Sequence, residues 1–276
     1  MQLRLGPVRY DLSERALVMG ILNRTPDSFY DKGRYWDLDA FYRRAETLVG
    51  EGADLLDVGG VKAGPGPEVS AAEELERVVG AIEGLASRFD VPLSVDTWRA
   101  EVAAEAYKVG AVVGNDISGF ADPEYLPAAA AAGATVVATH IRLAPRVADP
   151  DPRYDDVVAA VAAFLTERGE RARAAGLGDD QIIVDAGLDL GKTALQSLAL
   201  LQASDRLSKL GWPLLLSASN KTFLGVLFDL EVAERREASV AAHALGVALG
   251  CRILRAHDVR GARRVADTLA AVLAAP

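Results

Sequence analysis

Eight apolar runs of strand length recur along this chain: ALVMGIL (16–22), ADLLDVGG (53–60), VPLSVD (91–96), AVVGNDIS (111–118), ATVVATH (134–140), QIIVDAG (181–187), PLLLSAS (213–219) and RILRAHD (252–258). Each is nearly continuous in apolar residues at its centre. A strand with one wet face alternates apolar with polar; a strand without alternation is buried on both faces, as in a parallel sheet covered by helices. Helical patterns lie between the runs. DLDAFYRRAETLVGEG puts Phe41, Ala45, Leu48 and Val49 on one face. SAAEELERVVGAIEGLASRF opens with Ser70 as N-cap and a Glu-rich first turn, and DVVAAVAAFLTERGERARAAG stops at Gly176. Eight strand–helix alternations over roughly 250 residues predict the α/β class and a (β/α)8 TIM barrel. A doubly wound open sheet is the rival, but the Gly-rich phosphate fingerprint it carries after its first strand is missing. The opening QLRLGPVRYDL alternates around Gly6-Pro7 and predicts a short β-hairpin under the barrel. The polar, Pro-containing segment 142–155 fits a long loop after the fifth strand, not a linker, so residues 1–276 are expected to form one domain.

Active sites of such barrels lie at the C-terminal ends of the strands. Collecting the residues there gives Asn23, Asp57, Asp96, Asn115, Asp116, His140, Asp185, Ser219, Asn220, Lys221, Arg255 and His257. Carboxylates on or just after apolar strands are costly unless something pairs with them, so the set as a whole predicts a binding site. Asp96, Asn115 and Asp185 are acceptor-rich and Lys221 is a donor, which suits a flat heterocycle with an amino-pyrimidinone edge. Arg255 and His257, two apart on one strand, could hold an anion with Asn23, directly or through a metal. Single residues carry blander readings. His140 fits a solvated strand end, His243 an apolar helix or a dimer contact, and Trp98 and Trp212 packing. EVAERREA (231–238) fits a solvated helix face.

Charge and composition narrow the function classes. A net charge of -9 argues against a nucleic-acid surface. No apolar run approaches the roughly 18 residues of a membrane span, and the N-terminus lacks the apolar core of a secretory signal. With one cysteine, Cys251, no internal disulfide or cysteine metal cluster can form. Cys251 reads as a small buried apolar residue, and a reducing cytoplasm is the simplest compartment.

The segments NRTPDSFYDKG, DVGG, SVDT, NDISG, DAGLDLGK, SNKTFLG and RAHDV follow one another in the order and spacing of dihydropteroate synthase, and the resemblance runs from residue 16 to the last helix. It implies a single pterin-binding (β/α)8 barrel, usually a homodimer, that joins 6-hydroxymethyl-dihydropterin pyrophosphate to 4-aminobenzoate. By the same resemblance Asp96, Asn115, Asp185 and Lys221 bind the pterin. Asn23 ligates Mg²⁺ on the pyrophosphate, and Arg255 and His257 hold the pyrophosphate as it leaves. The loops after the first two strands, including Phe29, Tyr30 and Asp31, close over the site and form the aminobenzoate pocket.

The departures from the family pattern cluster. After the second strand the family reads GGESTRPG, whereas this chain reads GGVKAGPG: Val61, Lys62, Ala63 and Gly64 stand in place of Glu, Ser, Thr and Arg. Arg24 stands for Val, and Asn220 for an Arg against the pterin. Ala186, Asp189 and Leu190 stand for Pro, Gly and Phe. Hydroxyls and a guanidinium are lost from a charge clamp, and Arg is not replaceable there by Gly. The resemblance is therefore to a divergent second-copy synthase that binds pterin and condenses it weakly or not at all. The alternatives are a working synthase in which Lys62 and Arg24 supply replacement charge, and a transferase for another amine whose carboxylate Arg24 pairs.

Overall fold

A computed structural model describes residues 1–25 and 37–274. An antiparallel hairpin, β1 (Gln2–Leu5) and β2 (Val8–Asp11), precedes eight parallel strands: β3 (Leu17–Asn23), β4 (Leu55–Gly59), β5 (Leu93–Asp96), β6 (Ala111–Asp116), β7 (Thr135–Thr139), β8 (Ile182–Asp185), β9 (Leu214–Leu216) and β10 (Ile253–Ala256). They close in sequence order, with β10 returning to β3 so that Ile253 faces Leu17. The helices are α1 (Leu38–Gly50), α2 (Ala71–Ala86), α3 (Ala100–Lys108), α4 (Tyr125–Ala132), α5 (Val157–Ala174), α6 (Ala194–Gln202), α7 (Ser204–Leu207), α8 (Thr222–Phe228), α9 (Arg236–Ala248) and α10 (Val259–Leu273). All eight expected strands form, as does the hairpin. Ser70 caps α2 by accepting from Glu73 N, and Gly176, with φ 98°, follows the end of α5.

Strand periodicity divides the core in two. Residues such as Val18, Leu56, Val95, Val136, Val184 and Leu254 face outward and form an annulus with the helices. The intervening set, Leu17, Met19, Leu55, Val113, Val137, Ile183, Leu215 and Ile253, faces inward and fills the barrel floor. Leu3, Leu5 and Leu12 of the hairpin segment join this inner cluster, so the hairpin plugs the bottom as expected. Because successive inward positions are two residues apart, the same faces continue upward as Asn23, Asp57, Asp96, Asn115, Asp185 and Arg255. The fold thus converts a two-residue repeat into an apolar floor below a polar mouth.

Two local expectations change. β10 ends at Ala256, so His257 lies just beyond the strand that carries Arg255. Residues 231–238 are not a plain solvated helix face: Val232–Glu234 form a 3-10 turn before α9, and Arg235 turns inward. Its Nε donates to Leu230 O at 3.1 Å and its Nη1 to Asn220 O at 3.1 Å.

Candidate functional site

The mouth is organised around Asp57, which is fully buried. It accepts from Ser94 Oγ at 2.5 Å, from Asn115 Nδ2 at 3.0 Å and from Arg255 Nε at 2.7 Å. Arg255 Nη2 also donates to Asp96 Oδ2 at 2.7 Å. Four strands, β4, β5, β6 and β10, are thereby stitched across the barrel. A Cβ on Gly59 would sit 3.1 Å from Asn23 Oδ1 and 3.5 Å from Asp96 Cβ, so the bare glycine lets those two side chains converge. Burial pushes the Asp96 carboxyl up to about 7, against the pull of Arg255 and with a further push from Asp57. Burial also raises Asp185, opposed by the Gly187 N–H at 2.8 Å and by the charges of Lys221, Arg255 and Lys192. These carboxyls are held ready for donors that the protein supplies only in part.

A second group sits beside the first. Ser219 Oγ lies 3.1 Å from His257 Nδ1 and accepts from the His257 backbone N–H at 3.1 Å. Ser219 thus ties the His257 ring and backbone to the segment just past the end of β9. Burial lowers His257 to about 3, and Arg255, Lys221 and Arg44 add to the effect. Three cations around a neutral imidazole make this corner electropositive, the condition for seating an anion. Asn220 has φ 58°, a left-handed conformation that Asn adopts more readily than most residues, and its N–H is held by Ser239 Oγ at 3.0 Å. That turn sets Lys221 immediately before α8.

All three histidines are held neutral by burial: His140 at about 3, His243 at about 4 and His257 at about 3. No imidazole is therefore expected to titrate between about pH 8 and about pH 5 in NMR spectra of the free protein. Added pyrophosphate offsets the neighbouring cations and moves only the His257 midpoint upward. A midpoint near 6.5 for any imidazole in the free protein would contradict these placements.

Several expected residues are not brought to the ligand side. The Asp116 carboxylate is consumed within its own turn, accepting from Ser118 N at 2.6 Å and Phe120 N at 2.9 Å. His140 is not solvated. It is buried, with Nδ1 2.9 Å from Lys192 Nζ, and its ring meets Phe164 edge-on. Arg24 Nη1 donates to the α2 carbonyls of Arg77 at 2.7 Å and Glu76 at 3.3 Å, so its guanidinium packs on a helix. Phe29, Tyr30 and Asp31 lie outside the described residues. Trp212 is core, and Trp98 carries the Arg99 guanidinium 5.2 Å from its ring centre.

The loop after β4 is held by a residue that nothing in the sequence singled out. Arg146, in the loop after β7, donates from Nη1 to Lys62 O at 3.1 Å, from Nη2 to Pro67 O and from its backbone N–H to Ala63 O at 3.0 Å. Val61 is buried beneath, Lys62 and Ala63 are half-buried, and Gly64 is exposed, with none of the described residues within 4 Å of where its side chain would start. Replacing Arg146 by Ala is expected to speed amide exchange across residues 62–67 by ~10-fold or more, with Tm changed by no more than ~2 °C. Unchanged exchange would show that the loop is held by other contacts. Lys192 was also missed, although it ends the DAGLDLGK segment. Its ammonium donates to Gly187 O at 2.8 Å and Leu190 O at 3.0 Å besides contacting His140, so it knots the loop after β8.

A family model described as "Pterin binding enzyme" matches residues 19–257. The chain is 44% identical over 270 residues to "Inactive dihydropteroate synthase 2" of Mycobacterium leprae, covering 94% of this chain and 91% of that one. It is 39% identical over 269 residues to dihydropteroate synthase of Bacillus subtilis, covering 97% and 92%. The crystal structure of Yersinia pestis dihydropteroate synthase in complex with a sulfonamide drug matches with a TM-score of 0.95 at 38% identity, over 100% of both chains.

Proposed function

The chain belongs to the pterin-binding enzyme family that includes the dihydropteroate synthases, and from that premise we propose that it binds 6-hydroxymethyl-dihydropterin pyrophosphate but condenses it with 4-aminobenzoate weakly or not at all. One contrast carries this reading. The pterin-type acceptors stand on rigid strands over a packed floor, whereas the loop after β4 presents Val61, Lys62, Ala63 and Gly64 without a hydroxyl or guanidinium. Asp185, Asp96 and Asn115 accept the N–H donors of the heterocycle, and Lys221 donates to its carbonyl edge. Arg255 and His257 face the pyrophosphate. The guanidinium uses Nε and Nη2 on Asp57 and Asp96, which leaves Nη1 for an oxyanion. Breaking the C–O bond needs that negative charge held and water excluded. The missing loop contacts weaken the hold.

Mg²⁺ belongs to this reading as a companion of the pyrophosphate. Among the described residues no group of three or more His, Cys, Asp or Glu side chains could hold a metal. Mg²⁺ keeps several waters and leans on substrate phosphates, so one protein oxygen, Asn23 Oδ1, fits such an ion without a dedicated cage. Bound there, it would neutralise charge on the leaving pyrophosphate.

The alternative, a working synthase, rests on Lys62 as replacement charge; the placement of Arg24 on α2 speaks against its sharing that role or pairing an acceptor's carboxylate. We also propose a homodimer, supported by Leu245, Val272 and Leu273, which α9 and α10 leave exposed, and a cytoplasmic location. Among the described residues no helix is long and apolar enough to cross a membrane. Two measurements test the main proposal together. Calorimetry with the pterin pyrophosphate and Mg²⁺ should show binding, and pyrophosphate release with 4-aminobenzoate should run at or near blank. Absence of heat ends the proposal; rapid release replaces it with the working synthase.

A further inference from the structure

Beside the pterin-type group lies a cavity of ≈ 320 Å³, within the lower range of small-molecule pockets. It opens between the loops after β4, β7 and β8. Ala63, Pro65, Leu143, Val147 and Leu190 give it apolar walls. Leu143 is 48% and Val147 53% exposed, a poor arrangement for side chains that only fold the protein.

The charged groups on its lining are Asp149, Asp189 and Lys192. Asp149 is closed off by a two-point pair with Arg142, Nε and Nη2 each at 2.5 Å from its oxygens. Lys192 Nζ already meets His140 Nδ1 and three backbone carbonyls, so its ammonium is committed. Asp189 differs. Its φ of 67° is the left-handed conformation that glycine prefers, so the backbone here does not require an aspartate. Its side chain reaches across to the next strand–helix unit. Oδ2 accepts from Thr222 N at 2.5 Å and both oxygens from Phe223 N at 3.2 and 3.3 Å, with Ser197 Oγ 3.3 Å from Oδ1. The amides directly after Lys221 are therefore taken by an internal carboxylate. Among the described residues no uncommitted cation lines the cavity to balance a second one.

We propose that this cavity seats an uncharged aromatic amine and that Asp189 excludes carboxylated ones. Resting on the proposed function, the occupant is the acceptor of the pterin methylene, and the chain's departure from the family at Asp189 changes which acceptor is admitted. A carboxylated ring would bring its charge against Asp189 in a site with apolar walls, where like charges repel strongly. An amide of the same shape would not.

The test uses the full chain, with and without saturating pterin, titrated with 4-aminobenzamide and 4-aminobenzoate in a calorimeter. The amide is expected to bind about tenfold tighter or more. In Asp189→Asn, which keeps an oxygen for the Thr222 amide, the ratio should fall toward one. Leu190→Trp, which fills the cavity, should abolish amide binding. Equal affinities in the native chain, a ratio unmoved by Asp189→Asn, or no heat from either amine while pterin binds would each overturn the assignment. Amide preference without any pterin binding would sink the proposed function and leave the selectivity of the cavity standing.

Discussion

Replacing Asp185 by Asn is expected to weaken pterin binding about 100-fold or more while leaving the melting temperature unchanged or higher. Both halves follow from one environment. Asp185 lies at the top of β8 and is buried, and burial raises its pKa, so its surroundings disfavour the charged form. A neutral isostere removes that cost. It can also keep the local geometry, since an amide oxygen can accept the Gly187 N–H as the carboxylate does at 2.8 Å. The ligand loses more. Two heterocycle donors that met a carboxylate now meet one carbonyl and one NH2 group. Losing a charge-assisted pair and gaining a donor–donor conflict costs about 3 kcal/mol or more. Calorimetry and thermal melting on the same preparations check the two halves. A parallel loss of binding and stability would make Asp185 a structural residue and remove it from the site.

Restoring the loop after β4 is the second large effect. Changing Val61, Lys62, Ala63 and Gly64 to Glu, Ser, Thr and Arg is expected to raise pyrophosphate release by about 10²–10³-fold, measured with the pterin pyrophosphate, Mg²⁺ and saturating 4-aminobenzoate. The direction rests on leaving-group stabilisation. Arg255 already shares its charge with Asp57 and Asp96, and His257 is neutral, so a guanidinium added on this loop strengthens the electropositive corner that meets the developing pyrophosphate. A guanidinium at position 64 meets no obstacle among the described residues, none of which lies within 4 Å of a Cβ built there. Glu at position 61 replaces a buried Val, so a Gly64→Arg, Ala63→Thr pair is the gentler variant. A native chain that already turns over as fast as either variant would show that Lys62 has taken over the lost charge.

Much of this molecule was legible before its coordinates. The eight strands were visible because burial on both faces removes alternation, a property written into each short run. Asn23, Asp96, Asn115, Asp185, Lys221 and Arg255 could be placed at one mouth because they end or follow those runs in a barrel with a common direction. The fates of individual groups were not visible. Asp57 and Asp116 are both strand-end carboxylates, yet Asp116 closes its own turn while Asp57 meets an arginine 198 positions away. Arg24 resembled a replacement charge and instead packs on α2. His140 resembled a wet strand end and is a buried partner of Lys192.

The sequence by itself determined the barrel, its floor and the chemical inventory of its mouth, because strand burial and two-residue alternation are local and survive any choice of distant partner. Only the tertiary structure decided that Arg146 pins the loop after β4 and that Asp189 takes the amides beyond Lys221. Hydrogen bonds act over about 3 Å, and which groups come that close across separate loops depends on how every strand–helix unit is stacked.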